Sequence, residues 1–135
     1  MRIRRVSGLL VICIILTGCL TINAGAIGVG TSEYNTPVAR ASGRFNMDIP
    51  GNAFFTAETS FPLEAGETVT INAVYSPRFA NIDFGLIAPD GLFYFFGAKN
   101  GGFDETIEVD QKGNYTLAIR NNSDCDVSVS GFVTY

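Results

Sequence analysis

The sequence has 135 residues, of which 47% are hydrophobic, and it contains neither His nor Trp. This length allows one domain with one hydrophobic core, and the lack of His excludes Ser-His-Asp and Cys-His catalysis and His-based zinc sites. The formal net charge of −4 argues against nucleic acid and anionic lipid as partners.

The N-terminal segment has the pattern of an export signal. The basic stretch RIRR precedes an apolar stretch at residues 6–16, which is too short for an ordinary transmembrane helix. Its removal takes away Arg2, Arg4 and Arg5 and no acidic residue. The remaining chain then has six basic and 13 acidic side chains and a net charge of −7.

Two processing sites compete at the end of this segment. AGA at residues 24–26 is a small-x-small site, so that cleavage after Ala26 removes a signal of residues 1–26 and releases the protein. LTGC at residues 16–19 resembles the bacterial lipobox, which implies a signal of residues 1–18 and a lipid on Cys19. Both predict an extracytoplasmic protein, either secreted or lipid-anchored to the outer face of the cell membrane.

Residues 27–39 carry Gly, Ser, Thr and Pro without periodicity and predict a flexible linker or arm. The predicted domain covers residues 40–135. Its only cysteine is Cys125, so it cannot form an internal disulfide and depends on core burial for stability.

The first strands of this domain follow in chain order. Apolar residues alternate with polar ones at residues 45–49 and 53–61, which predicts two strands. The clearest amphipathic strand is at residues 68–75. Its predicted inward row is Val69, Ile71, Ala73 and Tyr75.

Residues 82–96, IDFGLIAPDGLFYFF, predict a central hairpin with Pro89-Asp90-Gly91 as its turn. Alternate residues of the first strand share an inward face. The second strand is aromatic and apolar on both faces, which favours a central strand within the core over an aromatic ligand platform. The predicted inward row is Ile82, Phe84, Leu86 and Ala88.

Three further strands are predicted at residues 104–109, 114–121 and 125–135. Gly131 interrupts an inward row of the last strand and indicates a bulge. About eight short strands without a helix predict an all-β fold, an antiparallel β-sandwich of jelly-roll type, although the sequence does not exclude a barrel. The other inward residues are Tyr115, Leu117, Ile119, Val127, Val129 and Val133.

Three sequence blocks carry a family resemblance. They read LxAGETVTI at residues 63–71, DFGLIAPDG at 83–91 and ETIEVxxxGxYTLAIRN at 105–121. They resemble the bacterial pre-peptidase C-terminal domain, an accessory module of secreted enzymes, and a group of small exported proteins of Gram-positive bacteria. The resemblance covers a little over half of the chain and implies a β-sandwich without indicating an activity.

Carboxylates are the remaining candidates for chemistry. Paired acids would suit a glycosidase, but most acids here fall at outward strand positions or in turns, where they are normally solvated. The sequence therefore predicts no enzyme and no catalytic residue. The candidate acids are Asp83, Asp104, Glu105, Glu108 and Asp110.

Calcium is the one cofactor that the sequence suggests. Asp104 and Glu105 follow a Gly-Gly pair, and Asp124 and Asp126 flank Cys125. Turn carboxylates with backbone carbonyls are ligands that Ca²⁺ accepts on a β-sandwich. These four acids are the hypothetical calcium ligands.

The sequence thus predicts an exported, non-catalytic β-sandwich that binds a protein or a polysaccharide at the cell surface or in the medium. The alternative is a structural protein that assembles by pairing strand edges. A carboxylate-based hydrolase is the third reading. Contact with a membrane is expected only through the signal or the lipid anchor.

Overall fold

The computed structural model describes residues 2–6 and 41–135, which form nine strands and no helix. Accordingly, these residues include no helix that is long and apolar enough to cross a membrane. The predicted linker and most of the predicted signal lie outside the described residues. The strands are β1 (Ile3–Arg5), β2 (Ser42–Ile49), β3 (Phe54–Leu63), β4 (Thr68–Ser76), β5 (Ile82–Ile87), β6 (Phe93–Gly97), β7 (Gly102–Val109), β8 (Gly113–Asn121) and β9 (Val127–Thr134).

The strands form two antiparallel sheets, one in the order β1-β7-β4-β9-β2 and the other in the order β3-β8-β5-β6. Leaving β1 aside, the pairs are nested: β2 with β9, β3 with β8, β4 with β7, and β5 with β6. This is one long hairpin rolled into two four-stranded sheets, which is the jelly roll. The predicted all-β sandwich is confirmed, and the topology that the sequence left open is decided.

The core lies between the two sheets and consists of alternate residues of their strands. The predicted inward rows are confirmed, since every member is at most 7% exposed. Burial of each large aliphatic or aromatic side chain contributes roughly 1.5–3 kcal/mol. The confirmed residues are Val69, Ile71, Ala73, Tyr75, Ile82, Phe84, Leu86, Ala88, Tyr115, Leu117, Ile119, Val127, Val129 and Val133.

The predicted bulge at Gly131 is wrong. The register of β9 runs without a shift against both β2 and β4. Gly131 is needed for space instead, because a Cβ there would lie 2.2 Å from the Asn72 carbonyl oxygen and 2.8 Å from Cζ of Phe45. The register shift lies in β3, between Thr56 and Ser60.

The turn of the predicted central hairpin is confirmed. The Gly91 N–H donates to the Ala88 carbonyl at 2.9 Å, and Gly91 has φ of +80°, a conformation that glycine tolerates. The central position is confirmed for β5, which lies between β8 and β6. It is wrong for β6, which is an edge strand of its sheet. Like every strand of a two-sheet sandwich, β6 has only one face toward the core.

Strand β1 comes from the predicted signal. Its three residues pair with β7, but only Ile3 packs against the core, where it is partly buried. The buried core itself extends from Ile49 to Val133 and includes no residue of β1. The processing of the chain, at residue 18 or 26, stays a prediction.

Candidate functional site

The structure does not bring the four predicted calcium ligands together. Asp104 and Glu105 lie on β7, Asp124 and Asp126 lie in the β8–β9 turn, and β4 stands between β7 and β9. Within residues 2–6 and 41–135, no group of three or more His, Cys, Asp and Glu side chains is arranged to hold a metal ion. Calcium binding stays a prediction without a formed site to support it.

The two acids of the β8–β9 turn have structural partners. The Asp126 carboxylate accepts a hydrogen bond from the Gly51 N–H at 3.1 Å, and the Asp124 carboxylate accepts one from the Asn52 side chain at 3.3 Å. Both bonds join the β8–β9 turn to the β2–β3 turn. These hydrogen bonds give Asp124 and Asp126 a structural role that requires no metal ion.

Asn121 reinforces the same junction from inside. It is 1% exposed, and its side-chain amide donates to the carbonyls of Ile49, Pro50 and Cys125 at 2.8 to 3.1 Å. Its oxygen accepts from the Ser123 N–H at 2.9 Å. A buried amide with all these partners fixes the end of the sandwich, since leaving them unpaired would be costly.

The most distinctive surface is the outer face of the four-stranded sheet, where aromatic rings are exposed. Phe54 and Phe95 are 49% and 43% exposed, and Phe93 is half-buried beside them. The centroid of the Phe93 ring lies 5.0 Å from the centroids of the other two rings. Phe93 is edge-to-face with Phe54 and stacked on Phe95. We call Phe54, Phe93, Phe95 and the neighbouring Arg120 the aromatic face.

Small residues on the central strands allow the rings to approach one another. Phe54 belongs to β3 and Phe93 to β6, the two edge strands of the sheet. Between them Ala118 and Gly85 point outward on β8 and β5, and both are buried nonetheless. Ala118 and Gly85 carry no large side chain that would separate the rings, and the ring contacts make the aromatic face a packed layer.

Arg120 is fixed within this layer. Its guanidinium lies 4.2 Å from the centroid of Phe95 and 5.5 Å from that of Phe93, which are cation–π distances. Its Nε and Nη2 donate to one carboxylate oxygen of Asp83, at 3.0 and 2.6 Å. The same oxygen accepts from the Asn122 side chain at 2.7 Å.

Asp83 was expected to be solvated, and that expectation is wrong. The residue is 6% exposed, because Arg120 and the neighbouring strands cover it. A buried carboxylate is stable only when it is paired and hydrogen-bonded. Asp83 therefore positions Arg120. Its carboxylate is too enclosed to bind a ligand from solvent.

The β5–β6 turn is held by a second carboxylate. Asp90 accepts from the Leu92 N–H at 2.9 Å and from the Tyr94 hydroxyl at 2.5 Å. The bond from Tyr94 holds the pKa of Asp90 below its ordinary value, and the same bond raises the pKa of Tyr94. These bonds fix the start of β6, which carries Phe93.

Sequence reasoning assigned residues 93–96 to the core, and that assignment is wrong for Phe93 and Phe95. The two residues share the outward side of β6, opposite Ile87 and Gly85 of β5. Consecutive aromatics on a strand necessarily point to both faces. The alternation that could have identified the platform was therefore present, but the sequence does not show which face of β6 lies away from the core.

Several predicted features fall elsewhere. Cys19 and Ala26 lie outside the described residues. Phe79, in the β4–β5 loop, is 82% exposed, but it stands apart from the ring contacts of the aromatic face. Cys125 is a half-buried free thiol.

No family model matches the chain, and no curated protein matches it. The resemblance to the pre-peptidase C-terminal domain therefore stays a prediction. Among solved structures, the chain is similar to the crystal structure of Aeromonas hydrophila PliG, a periplasmic lysozyme inhibitor of g-type lysozyme. The TM-score is 0.52 at 16% identity, over 70% of this chain and 86% of that chain, which shows a shared fold.

Proposed function

We propose that this chain is an exported, non-catalytic protein that binds another extracytoplasmic protein through the aromatic face. The observation that carries the proposal is the exposure of Phe54 and Phe95 around an arginine that the fold holds in place. Aromatic residues and arginine are enriched at the centres of protein interfaces. An arginine fixed before binding also loses less conformational entropy on association.

The chemistry of the face favours a protein over a polysaccharide. Its rings are phenylalanines, which offer apolar area but no hydroxyl to bond with a sugar. Arg120 already directs two of its nitrogens to Asp83. A surface with much apolar area and few available polar groups suits an apolar anchor from a partner protein.

The structural neighbour suggests a first partner to test. PliG is described as a periplasmic lysozyme inhibitor of g-type lysozyme, so the partner of that neighbour is a protein. The present chain would carry a net charge of −7 after removal of the signal, which favours a basic partner. The description of this neighbour makes a g-type lysozyme the first candidate to test, and basic exported proteins are the next candidates.

The test measures binding of the processed protein to a purified g-type lysozyme by calorimetry. Phe95→Ser and Phe54→Ser are each expected to weaken binding by about tenfold or more, because they remove exposed anchor rings. Phe132→Ser is the matched control. Phe132 is 52% exposed on the other sheet and also carries an arginine, Arg44, at 5.7 Å.

The same variants apply if this lysozyme does not bind. They are then used to compare which proteins of an extracytoplasmic extract are retained by each variant. A partner retained by wild type and by Phe132→Ser, but lost with Phe95→Ser, supports the proposal. Equal losses with Phe132→Ser and Phe95→Ser, or no effect of either, would contradict it.

A further inference from the structure

The outer edge of β7 is occupied by a basic segment of the chain itself. Arg4 pairs with Glu108 and Arg5 with Ile107 in an antiparallel register, and the Val6 N–H donates to the Thr106 carbonyl at 3.0 Å. This edge can therefore receive an added strand.

The contacts of β1 include specific side-chain recognition. The Arg5 guanidinium forms an ion pair with Glu105 and lies 5.4 Å from the centroid of the Phe96 ring. The Arg2 N–H donates to the Asp110 carboxylate. Arg5 is one of the residues that line a groove of about 460 Å³ at the β6–β7 side of the sandwich, together with Phe103 and Asp104.

Each position of β1 meets a different environment. Ile3 and Arg5 point to the same side, where Ile3 packs against the core and Arg5 meets Glu105. Arg4 points to the opposite side, beside Glu108 in the pair. The edge therefore offers an apolar site for one residue of an added strand and an acidic site for the residue two positions later.

We propose that the processed protein uses the β7 edge to bind an extended segment of another exported protein, antiparallel to β7. The segment carries an apolar residue in the place of Ile3 and a basic residue in the place of Arg5. The proposal rests on the predicted removal of the signal, which leaves this edge and the groove uncovered. It does not depend on the aromatic face, which lies on the other sheet.

Charge complementarity selects this occupant over a second copy. Glu105 and Glu108 lie along the edge, and Asp110 follows it. Two β7 edges paired with each other would bring these acids together, and like charges across a strand pair are destabilising. A basic strand neutralises the same acids, as β1 does here.

The test uses the protein as processed by the producing cell and a synthetic peptide, RIRRVS, as the probe. Alternation in an antiparallel pair directs the amides of Thr106 and Glu108 toward β1, since Thr106 accepts from Val6. When removal of the signal uncovers the edge, these two amides are expected to exchange rapidly with solvent. Added peptide is expected to shift their NMR signals and to slow their exchange.

Charge-changing variants test whether Glu105 recognises the basic residue of the peptide. Glu105→Gln and Glu105→Lys each lower the affinity for the peptide, the second by about tenfold, because they remove or reverse the partner of Arg5. Glu58→Lys makes the same charge change at an exposed position of β3, on the far edge of the other sheet, and leaves the affinity unchanged.

Three results would overturn the proposal. The first is no shift at Thr106 and Glu108 with millimolar peptide. The second is an equal loss of affinity with Glu58→Lys. The third is protection of the two amides before peptide is added, which would show that residues 27–39 or a second copy already cover the edge.

Discussion

Replacing Arg120 by Met tests the ion pair that holds the aromatic face. Breaking a buried ion pair by removing one partner costs about 3–5 kcal/mol. Here the cost is reduced, because the Arg120 side chain is 37% exposed and Asp83 keeps its hydrogen bond from Asn122. We expect Arg120→Met to lower the free energy of unfolding by about 2–3 kcal/mol.

A double-mutant cycle isolates the interaction energy between Arg120 and Asp83 from their interactions with other residues. Asp83→Leu removes the buried charge, and the double variant removes both partners. Replacing a whole buried pair by apolar residues is often close to neutral, so the double variant should cost less than the sum of the single ones. A coupling energy of at least about 1.5 kcal/mol is expected.

The measurement is urea unfolding followed by far-UV circular dichroism, since the chain has no tryptophan. Arg44→Met is the control, because Arg44 is an exposed arginine that lies over Phe132 on the other sheet. It should change stability by less than about 0.5 kcal/mol. The role of the ion pair would be refuted if Arg120→Met lowered the free energy of unfolding by less than about 1 kcal/mol. It would also be refuted if the losses of the two single variants added up to the loss of the double variant.

Two further predictions concern stability. Gly131→Ala is expected to lower the free energy of unfolding by about 1–3 kcal/mol, because its Cβ would lie 2.2 Å from the Asn72 carbonyl oxygen. Gly43→Ala is the control and should be tolerated, because the nearest atom to a Cβ at Gly43 is 3.4 Å away. Equal effects of the two changes on the urea midpoint would contradict this prediction. Burial raises the pKa of Tyr115 above its ordinary value, so the folded state keeps a proton that the unfolded state loses. The stability of the wild type relative to Tyr115→Phe should therefore fall as the pH rises above about 10; a constant difference would show that this reasoning is wrong.

The inward rows could be predicted from sequence because a strand repeats every two residues. Val69, Ile71 and Ala73 alternate with polar residues, and that pattern alone identifies the buried side. The pairing of strands could not be predicted, because partners are distant in the chain. Ile49, for example, pairs with Val127, and nothing in either segment specifies the other.

The candidate site was missed for a related reason. Asp83 on its own strand has the pattern of a solvated acid, and its burial depends on Arg120 of β8, which lies directly beside it and donates to its carboxylate. Phe93 and Phe95 likewise have the pattern of core residues, and only the register of β6 against β5 shows that they lie on the outer face of the sheet. Exposure of a side chain depends on which strands cover it, and that depends on the topology.

The nested pairing also determines when folding can finish. Strands β8 and β9, the last of the described chain, occupy interior positions in their sheets, β9 between β4 and β2 and β8 between β3 and β5. The sheet that contains β8 is complete only when residues near 121 are available, and the sheet that contains β9 only when residues near 134 are. Such non-local pairing folds slowly. If the chain is exported as its N-terminal sequence predicts, it would therefore cross the membrane before its fold can close.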